Sequence, residues 1–159
     1  MPPRFAFRLS VPFGLLAWGI VTALYIWPAL RGLAAVDAIR PLLVVHSFRY
    51  IGLAFLVPGT VAPELPAAFA RPAALGDLVA ALLALLALGT LGTPVGISVI
   101  WVFNIWGSAD LVYAFYNGAR LVSAGKLLAA HFGAAYFIPT FYVPLLLITH
   151  GLVFWLLVG

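Results

Sequence analysis

The residues best suited to chemistry are charged and polar side chains that stand within apolar runs. Arg49 lies near the middle of the apolar run 41–57, and His46 precedes it by three residues. An arginine at the bilayer centre costs about 2.5–3.5 kcal/mol on insertion scales, so a protein keeps one where it is paired internally. Asp110, in a later apolar run, is the predicted partner. This pair is equally compatible with a functional site and with a structural ion pair.

Helix geometry places further polar residues at a similar depth. With a rise of about 1.5 Å per residue, His46 lies roughly 9 Å from the outer edge, His150 roughly 12 Å, and Arg49 and Asn104 roughly 14 Å. Asp110 lies roughly 10 Å from the inner edge, where a long arginine side chain can reach it. We therefore predict a buried cluster that binds a ligand or ion, consisting of Arg49, Asp110, His150, His46, Asn104 and Tyr136.

Helical angles support part of this cluster. His46 and Arg49 share one face of a helix, and Tyr136 lies two heptads before His150 on the same side of the last segment. Asn104 and Asp110, in contrast, are about a third of a turn apart on an ideal helix.

The two histidines allow two interpretations. His46 and His150 are predicted on different helices at similar depth, as the axial ligands of a haem b iron would be. Alternatively, they form hydrogen bonds between helices, which is the commoner role. Haem b is therefore the alternative cofactor; the cofactor is otherwise unassigned, and no other metal site is predicted.

Asp77 has a simpler expected role. It follows Gly76 in the predicted first turn of a helix, where a carboxylate stabilises the positive end of the helix dipole. Asp77 and Asp110 are expected to be staggered by about 5 Å, which disfavours a catalytic dyad. The sequence also contains no phosphate-binding glycine loop, no Gly-x-Ser-x-Gly elbow and no His-Glu-x-x-His pair. These features favour a non-enzymatic function and leave catalysis open.

The elements that position these residues are predicted to be transmembrane helices. Of the 159 residues, 65% are hydrophobic and only 8% are charged, and the mean hydropathy is +1.19. Such a chain is too apolar for a water-soluble fold. The basic residues are spread singly, so the net charge of +4 does not predict nucleic-acid binding. The lack of cysteine excludes disulfides, thiolate metal sites and iron–sulfur clusters.

We predict an all-α membrane protein, a single domain with a bundle of about five transmembrane helices. The first run is too long for the core of a signal peptide and is counted as a span. The link between spans two and three and the link between spans four and five are predicted to contain short interfacial helices. The second span, at about 17 residues, is at the short limit for crossing a bilayer. The predicted spans are 9–30, 41–57, 74–92, 95–117 and 134–158.

Two further features predict how the spans pack. Ala80, Ala84 and Ala87 form a stripe of small residues along which another helix can approach closely. Pro139 and Pro144 leave two carbonyls of the fifth span without their usual donors. Such groups are tolerated where neighbours or a cavity satisfy them.

Four stretches, 46–56, 65–77, 104–111 and 138–150, carry the patterns F-R-x-x-G, P-A-x-x-G-D, N-x-x-G-x-x-D and I-P-T-F-x-V-P followed by His. With these stretches the chain resembles a family of small, uncharacterised bacterial multi-pass integral membrane proteins. The resemblance implies a shared fold with four polar residues in common and a location in the bacterial inner membrane. It implies no particular function, and the family often has Gln at the position of His46. The four residues are Arg49, Asp77, Asp110 and His150.

The distribution of basic residues predicts the orientation. With five spans, one side of the membrane holds five basic residues and the other side holds two, Arg31 and Arg40. Because cytoplasmic loops are enriched in Lys and Arg, the first side, which includes the N-terminus, is predicted to be cytoplasmic. Its basic residues are Arg4, Arg8, Arg71, Arg120 and Lys126.

Three hypotheses of function follow. In the leading one, the buried cluster binds a small or amphiphilic ligand, or carries protons or a solute, because ionisable groups converge where lipid disfavours them. In the second, the chain is an accessory or assembly membrane protein whose polar residues only fix helix packing. In the third, it is a b-type haem protein. The expected partners are the lipid bilayer, a small amphiphilic ligand, and a second copy of the chain or another membrane protein; nucleic acid is not expected.

Overall fold

Five helices long and apolar enough to cross a membrane make up most of the protein in a computed structural model. The structure describes residues 3–159, and side chains from Phe5 onward, so the side chain of Arg4, which was counted for the orientation, lies outside this part. The prediction of an all-α fold with five spans is confirmed. The spans are Phe5–Leu30, Ala35–Leu56, Ala67–Thr90, Gly96–Ser123 and Ile138–Val158.

Prolines shape the backbone of the first and fifth spans. The first span is α-helical over Pro3–Val21, widens to a π-helix over Thr22–Ile26, and ends as the short α-helix Trp27–Leu30, which contains Pro28. The fifth span begins as a π-helix over Ile138–Tyr142 and continues as an α-helix over Val143–Val158. Since proline lacks an N–H and crowds the carbonyl four residues earlier, the backbone departs from regular α geometry near such residues.

The second span is longer than predicted because its helix begins earlier and tightens near its middle. It is α-helical over Ala35–Ser47 and 3₁₀-helical over Phe48–Leu56. At about 1.5 Å per α residue and about 2.0 Å per 3₁₀ residue, it reaches roughly 38 Å, which is long enough to cross a bilayer. With three residues per turn, the 3₁₀ segment places Arg49, Gly52 and Phe55 on one buried face.

The link between the second and third spans contains no helix, contrary to the prediction. Residues 67–70, which were expected to lie in the interface, form the first turn of the third span, and the helix continues through Pro72. Pro72 cannot bond the carbonyl of Ala68, and the Nδ2 of Asn117 donates to that carbonyl instead at 2.7 Å. This side-chain bond explains why the proline does not end the helix.

A short helix does lie between the fourth and fifth spans, at Ala129–Tyr136, with a kink at Gly133, where φ is 49°. The fourth span extends to Ser123 and so includes residues that were assigned to the link. Two backbone hydrogen bonds join this short helix to the link between the second and third spans. Ala62 N–H donates to the His131 carbonyl at 3.0 Å, and Ala134 N–H donates to the Thr60 carbonyl at 2.8 Å.

Two apolar clusters fill the bundle, one towards each membrane face. The cluster nearer the N-terminal side includes Phe55, Phe69, Leu121 and Phe132, and the other includes Leu43, Ile100, Phe103 and Val153. The small-residue stripe is fully buried, which confirms its role in packing; its members are Ala80, Ala84 and Ala87. Along the second, third and fourth spans, the polar residues fall between the two apolar clusters.

Candidate functional site: a buried ion-pair cluster beside a cavity

Arg49 is fully buried and is the centre of the polar site. Its Nε donates to Asp77 Oδ1 at 2.8 Å, and its Nη2 lies 2.8 Å from the same oxygen. Nη2 also donates to Asp110 Oδ2 at 2.7 Å. Nη1 donates to the Gly107 carbonyl at 3.2 Å and to His150 Nε2 at 3.1 Å. Four of the five N–H groups of the guanidinium form these hydrogen bonds, and each of its three nitrogens has a partner within the protein, so Arg49 needs no external anion.

Asp77 is a direct partner of Arg49 and not the dipole partner that was predicted. The third span begins at Ala67, ten residues before Asp77, so the carboxylate is far from the first turn. Asp77 therefore lies deeper in the membrane region than predicted. The expected stagger of about 5 Å between Asp77 and Asp110 is not seen, since both carboxylates bond the same guanidinium. These buried ionic contacts join the second, third and fourth spans, and removing Arg49 would leave two buried carboxylates without a counter-charge.

Hydrogen bonds fix the tautomer of His150. Since Arg49 only donates, His150 Nε2 accepts, and the ring proton lies on Nδ1, which donates to Asn104 Oδ1 at 2.6 Å. Asn104 Nδ2 donates back to the His150 carbonyl at 3.2 Å. Asn104 and Asp110 can therefore belong to one site although they point in directions a third of a turn apart, because Asn104 contacts His150 and Asp110 contacts Arg49. We call Arg49, Asp77, Asp110, His150 and Asn104 the Arg49 cluster.

His46 lies beside this cluster in an arrangement that does not fit haem ligation. Its ring centroid is 4.1 Å from that of His150, which is contact distance and leaves no space for a macrocycle between the rings. His46 Nε2 is 2.9 Å from the hydroxyl of Thr149, and that hydroxyl donates to the Leu145 carbonyl. The histidines therefore form hydrogen bonds between helices, and the haem interpretation is not supported.

Tyr136 lies apart from the residues with which it was grouped. Its hydroxyl is 2.8 Å from Ser10 Oγ, and its ring packs edge-on against Phe7. It falls in the short 3₁₀-helix and is separated from His150 by the π-helical segment. The assumption of one regular helix, on which the heptad spacing depended, was therefore wrong, and Tyr136 joins the first span to the apolar cluster on the N-terminal side.

Three glycines make room for the charged groups. A Cβ on Gly52 would overlap the Asp77 carboxylate, one on Gly76 would overlap the Asp110 carboxylate, and one on Gly107 would overlap both His150 and Arg49. Each glycine lies on a different span of the site. The absence of a side chain at these positions leaves room for both carboxylates and for His150 at the guanidinium.

A cavity of about 280 Å³ borders the Arg49 cluster. Along the fourth span its lining runs from Asp110 to Val122, which is roughly 18 Å of helix. Asp77 and Asp110 are the acidic residues of the lining, Arg8 is the basic one, and most other lining residues are apolar or aromatic. The cavity is therefore amphipathic, with a carboxylate pair at the level of the cluster and an apolar interior.

The cavity opens between the first and fourth spans. The first span packs on the fifth and on the segments just before it, whereas the fourth packs on the third and fifth. The exposed residues of the lining lie on the facing sides of the first and fourth spans, where the protein would meet lipid: Arg8, Phe115, Ala119 and Val122.

Sequence reasoning missed the cavity and the role of Thr149. The small residues Ala73, Ala114 and Gly118 line the cavity from two spans, and their spacing was the one available signal. Sequence reasoning correctly grouped four residues that the structure brings together, with His46 in contact through its ring. The four are Arg49, Asp110, His150 and Asn104.

Comparisons with known proteins give one match. A family profile described as a domain of unknown function (DUF8737) matches residues 6–158. No curated protein and no solved structure matches the chain.

Proposed function

We propose that this chain, which belongs to the family of the domain of unknown function DUF8737, binds a small amphiphilic ligand within the membrane. The observation that supports this is the cavity, because it connects an opening between two spans with the carboxylates of Asp77 and Asp110. A ligand would enter from the lipid side, place its apolar part in the cavity and direct its polar end towards the Arg49 cluster.

The size of the cavity sets the size of the ligand. Binding pockets for small molecules are commonly about 300–1,000 Å³, and about 280 Å³ is at the lower end of that range. At about 30 Å³ per heavy atom, taken from the volume of a water molecule in the liquid, the cavity accommodates roughly nine atoms. An eight-carbon chain with one polar group is therefore a suitable probe.

The packing favours binding over passage through the membrane. On the far side of the Arg49 cluster, side chains of the second apolar cluster such as Leu43, Phe103 and Val153 are fully buried. These groups close the route from the cavity to the opposite face. We therefore infer that carriage of a proton or solute across the bilayer would need a conformational change, whereas binding does not.

We further propose that the protein resides in a bacterial inner membrane with its N-terminus in the cytoplasm. The cavity then opens in the cytoplasmic half of the bilayer, since Arg8 and Val122 lie near the N-terminal face. This placement rests on the distribution of basic residues and on the family resemblance.

Binding of eight-carbon probes tests the proposal. The purified protein in lipid nanodiscs is titrated with octylamine, octan-1-ol and octanoate, and the heat measured with empty nanodiscs is subtracted. We expect at least one probe to bind in a saturable way. Ala114→Phe should abolish that binding, because Ala114 lines the cavity and the larger side chain would fill it.

The matched control is Ala109→Phe, since Ala109 is exposed on the same helix and does not line the cavity. It should bind like the wild type. If no probe binds above the empty nanodiscs, or if binding survives in Ala114→Phe, the cavity is not a ligand site.

The second candidate function is that of an accessory membrane protein in which the Arg49 cluster is purely structural. The pairing of all three nitrogens of Arg49 within the protein favours this function, because such a site fixes three spans without any ligand. A stoichiometric membrane partner that co-purifies equally with the wild type and with Ala114→Phe would support this role.

A further inference from the structure

We infer that the polar end of the ligand is a cation, and specifically a protonated amine, that binds the free oxygens of Asp77 and Asp110. This inference rests on the proposed function and adds the chemical class of the ligand. It follows from the charge of the Arg49 cluster, from its unused hydrogen-bonding groups and from the surroundings of those groups.

The charge of the cluster is unbalanced. One guanidinium faces two carboxylates, those of Asp77 and Asp110. His150 does not compensate, because accepting from Arg49 and donating to Asn104 requires a neutral imidazole. With both carboxylates ionised, the cluster carries a net charge of −1 in a region that excludes water, and such a charge is costly without a partner.

The hydrogen-bonding groups of the cluster also favour a cation, because it has more acceptors than donors. All three nitrogens of Arg49 are engaged by acceptors within the protein, whereas its two carboxylates use one oxygen each, Oδ1 of Asp77 and Oδ2 of Asp110. Among the described residues, the other oxygen of each carboxylate receives no hydrogen bond from a side chain. The site therefore offers acceptors and lacks donors, which matches an ammonium group with its three N–H groups.

The surroundings favour a cation joined to a chain over a free ion. Among the lining residues that the structure describes, Asp77 and Asp110 alone have side-chain oxygens, so the cavity offers a metal ion no further side-chain ligand. Among the lining residues that the structure describes, Arg8 is the basic one, and its side chain is exposed and can extend into the headgroup region. An alkylammonium can thus place its charge at Asp110 and its chain along the fourth span.

The same three probes test the inference in the wild-type protein at pH 7. Octylamine is positively charged, octan-1-ol is neutral and of nearly the same size, and octanoate is negatively charged. We expect octylamine to bind roughly tenfold more tightly than octan-1-ol, because charge-assisted hydrogen bonds are the stronger ones, and octanoate to bind most weakly.

Asp110→Asn provides an independent test, since it removes one charge and keeps the shape. It should eliminate the preference for octylamine over octan-1-ol, while Asp37→Asn, which alters an exposed acid paired with Arg40, should retain it. If octan-1-ol or octanoate binds as tightly as octylamine in the wild type, the cation inference is wrong and the cavity remains a ligand site. If none of the probes binds, the proposed function itself fails.

Discussion

At the scale of single residues, glycine controls how closely opposite charges approach. The patterns F-R-x-x-G, P-A-x-x-G-D and N-x-x-G-x-x-D each pair a charged residue with a glycine, and the structure explains the pairing. A Cβ at Gly52, Gly76 or Gly107 would occupy the space that a carboxylate, an imidazole or the guanidinium needs. The glycines and the charged groups therefore form one unit.

Gly76→Ala should destabilise the protein by about 1–3 kcal/mol, because the new methyl group overpacks a filled site and displaces the Asp110 carboxylate. Unfolding by sodium dodecyl sulfate in mixed micelles measures the change. Gly89→Ala is the control on the same helix, where nothing lies within 4 Å of the new Cβ. It should be neutral or stabilising by up to about 1 kcal/mol, since alanine is the better helix former. Equal stability of the two variants would contradict this account.

Arg49 and Asp110 could be predicted as partners because lipid disfavours an unpaired charge and depth along a helix is simple to count. Asp77 was assigned wrongly because its helix starts at Ala67, seven residues earlier than predicted. The predicted spans left Pro72 in the link before the third span, and nothing in the local sequence indicates that Asn117, 45 residues later, satisfies the carbonyl freed by that proline. Local patterns cannot show a bond that tertiary packing supplies.

At the scale of elements, the first span is held against the fifth at a point where prolines have altered the backbone. Pro144 cannot bond the Thr140 carbonyl, and a Cβ on Gly14 would overlap that oxygen and approach the Pro144 ring. One turn later, Trp18 Nε1 donates to the Phe141 carbonyl at 3.0 Å. The irregular segment of the fifth span is thus the docking site of the first span.

Gly14→Leu should loosen this contact, because the side chain would separate the two backbones. We expect faster amide hydrogen exchange in the first span, with little change in the third and fourth spans, which are held by the Arg49 cluster. Gly19→Leu is the matched control, since no atom lies within 4 Å of its Cβ. Similar exchange in the two variants would mean that the close approach at Gly14 does not hold the helix.

The number and type of the spans could be predicted, because a long apolar run in lipid satisfies its backbone hydrogen bonds by forming a helix. Their internal geometry could not. The 3₁₀ segment Phe48–Leu56 and the π segment Ile138–Tyr142 depend on neighbouring helices and on prolines. The cavity was missed for the same reason, since it exists only between spans.

At the scale of the whole molecule, the distribution of charge is the feature that predicts the orientation. The N-terminal face carries Arg8, Arg71, Arg120 and Lys126 at or near helix ends, and the opposite face carries Arg31 and Arg40, where Asp37 lies 3.8 Å from Arg40. Positively charged loops are retained in the cytoplasm during insertion. The unequal distribution therefore predicts an N-terminus inside and a C-terminus outside.

Cysteine labelling in spheroplasts of a bacterial host, read on the purified protein, checks this orientation, because the chain has no cysteine of its own that could be labelled. Ala34→Cys lies in the exposed link between the first two spans, and Ala124→Cys lies just beyond the end of the fourth span. A maleimide that cannot cross membranes should label Ala34→Cys in intact spheroplasts and Ala124→Cys only after lysis, because the two positions are on opposite faces. The reverse result would place the opening of the cavity in the outer half of the bilayer, and a ligand would then have to reach it from outside the cell.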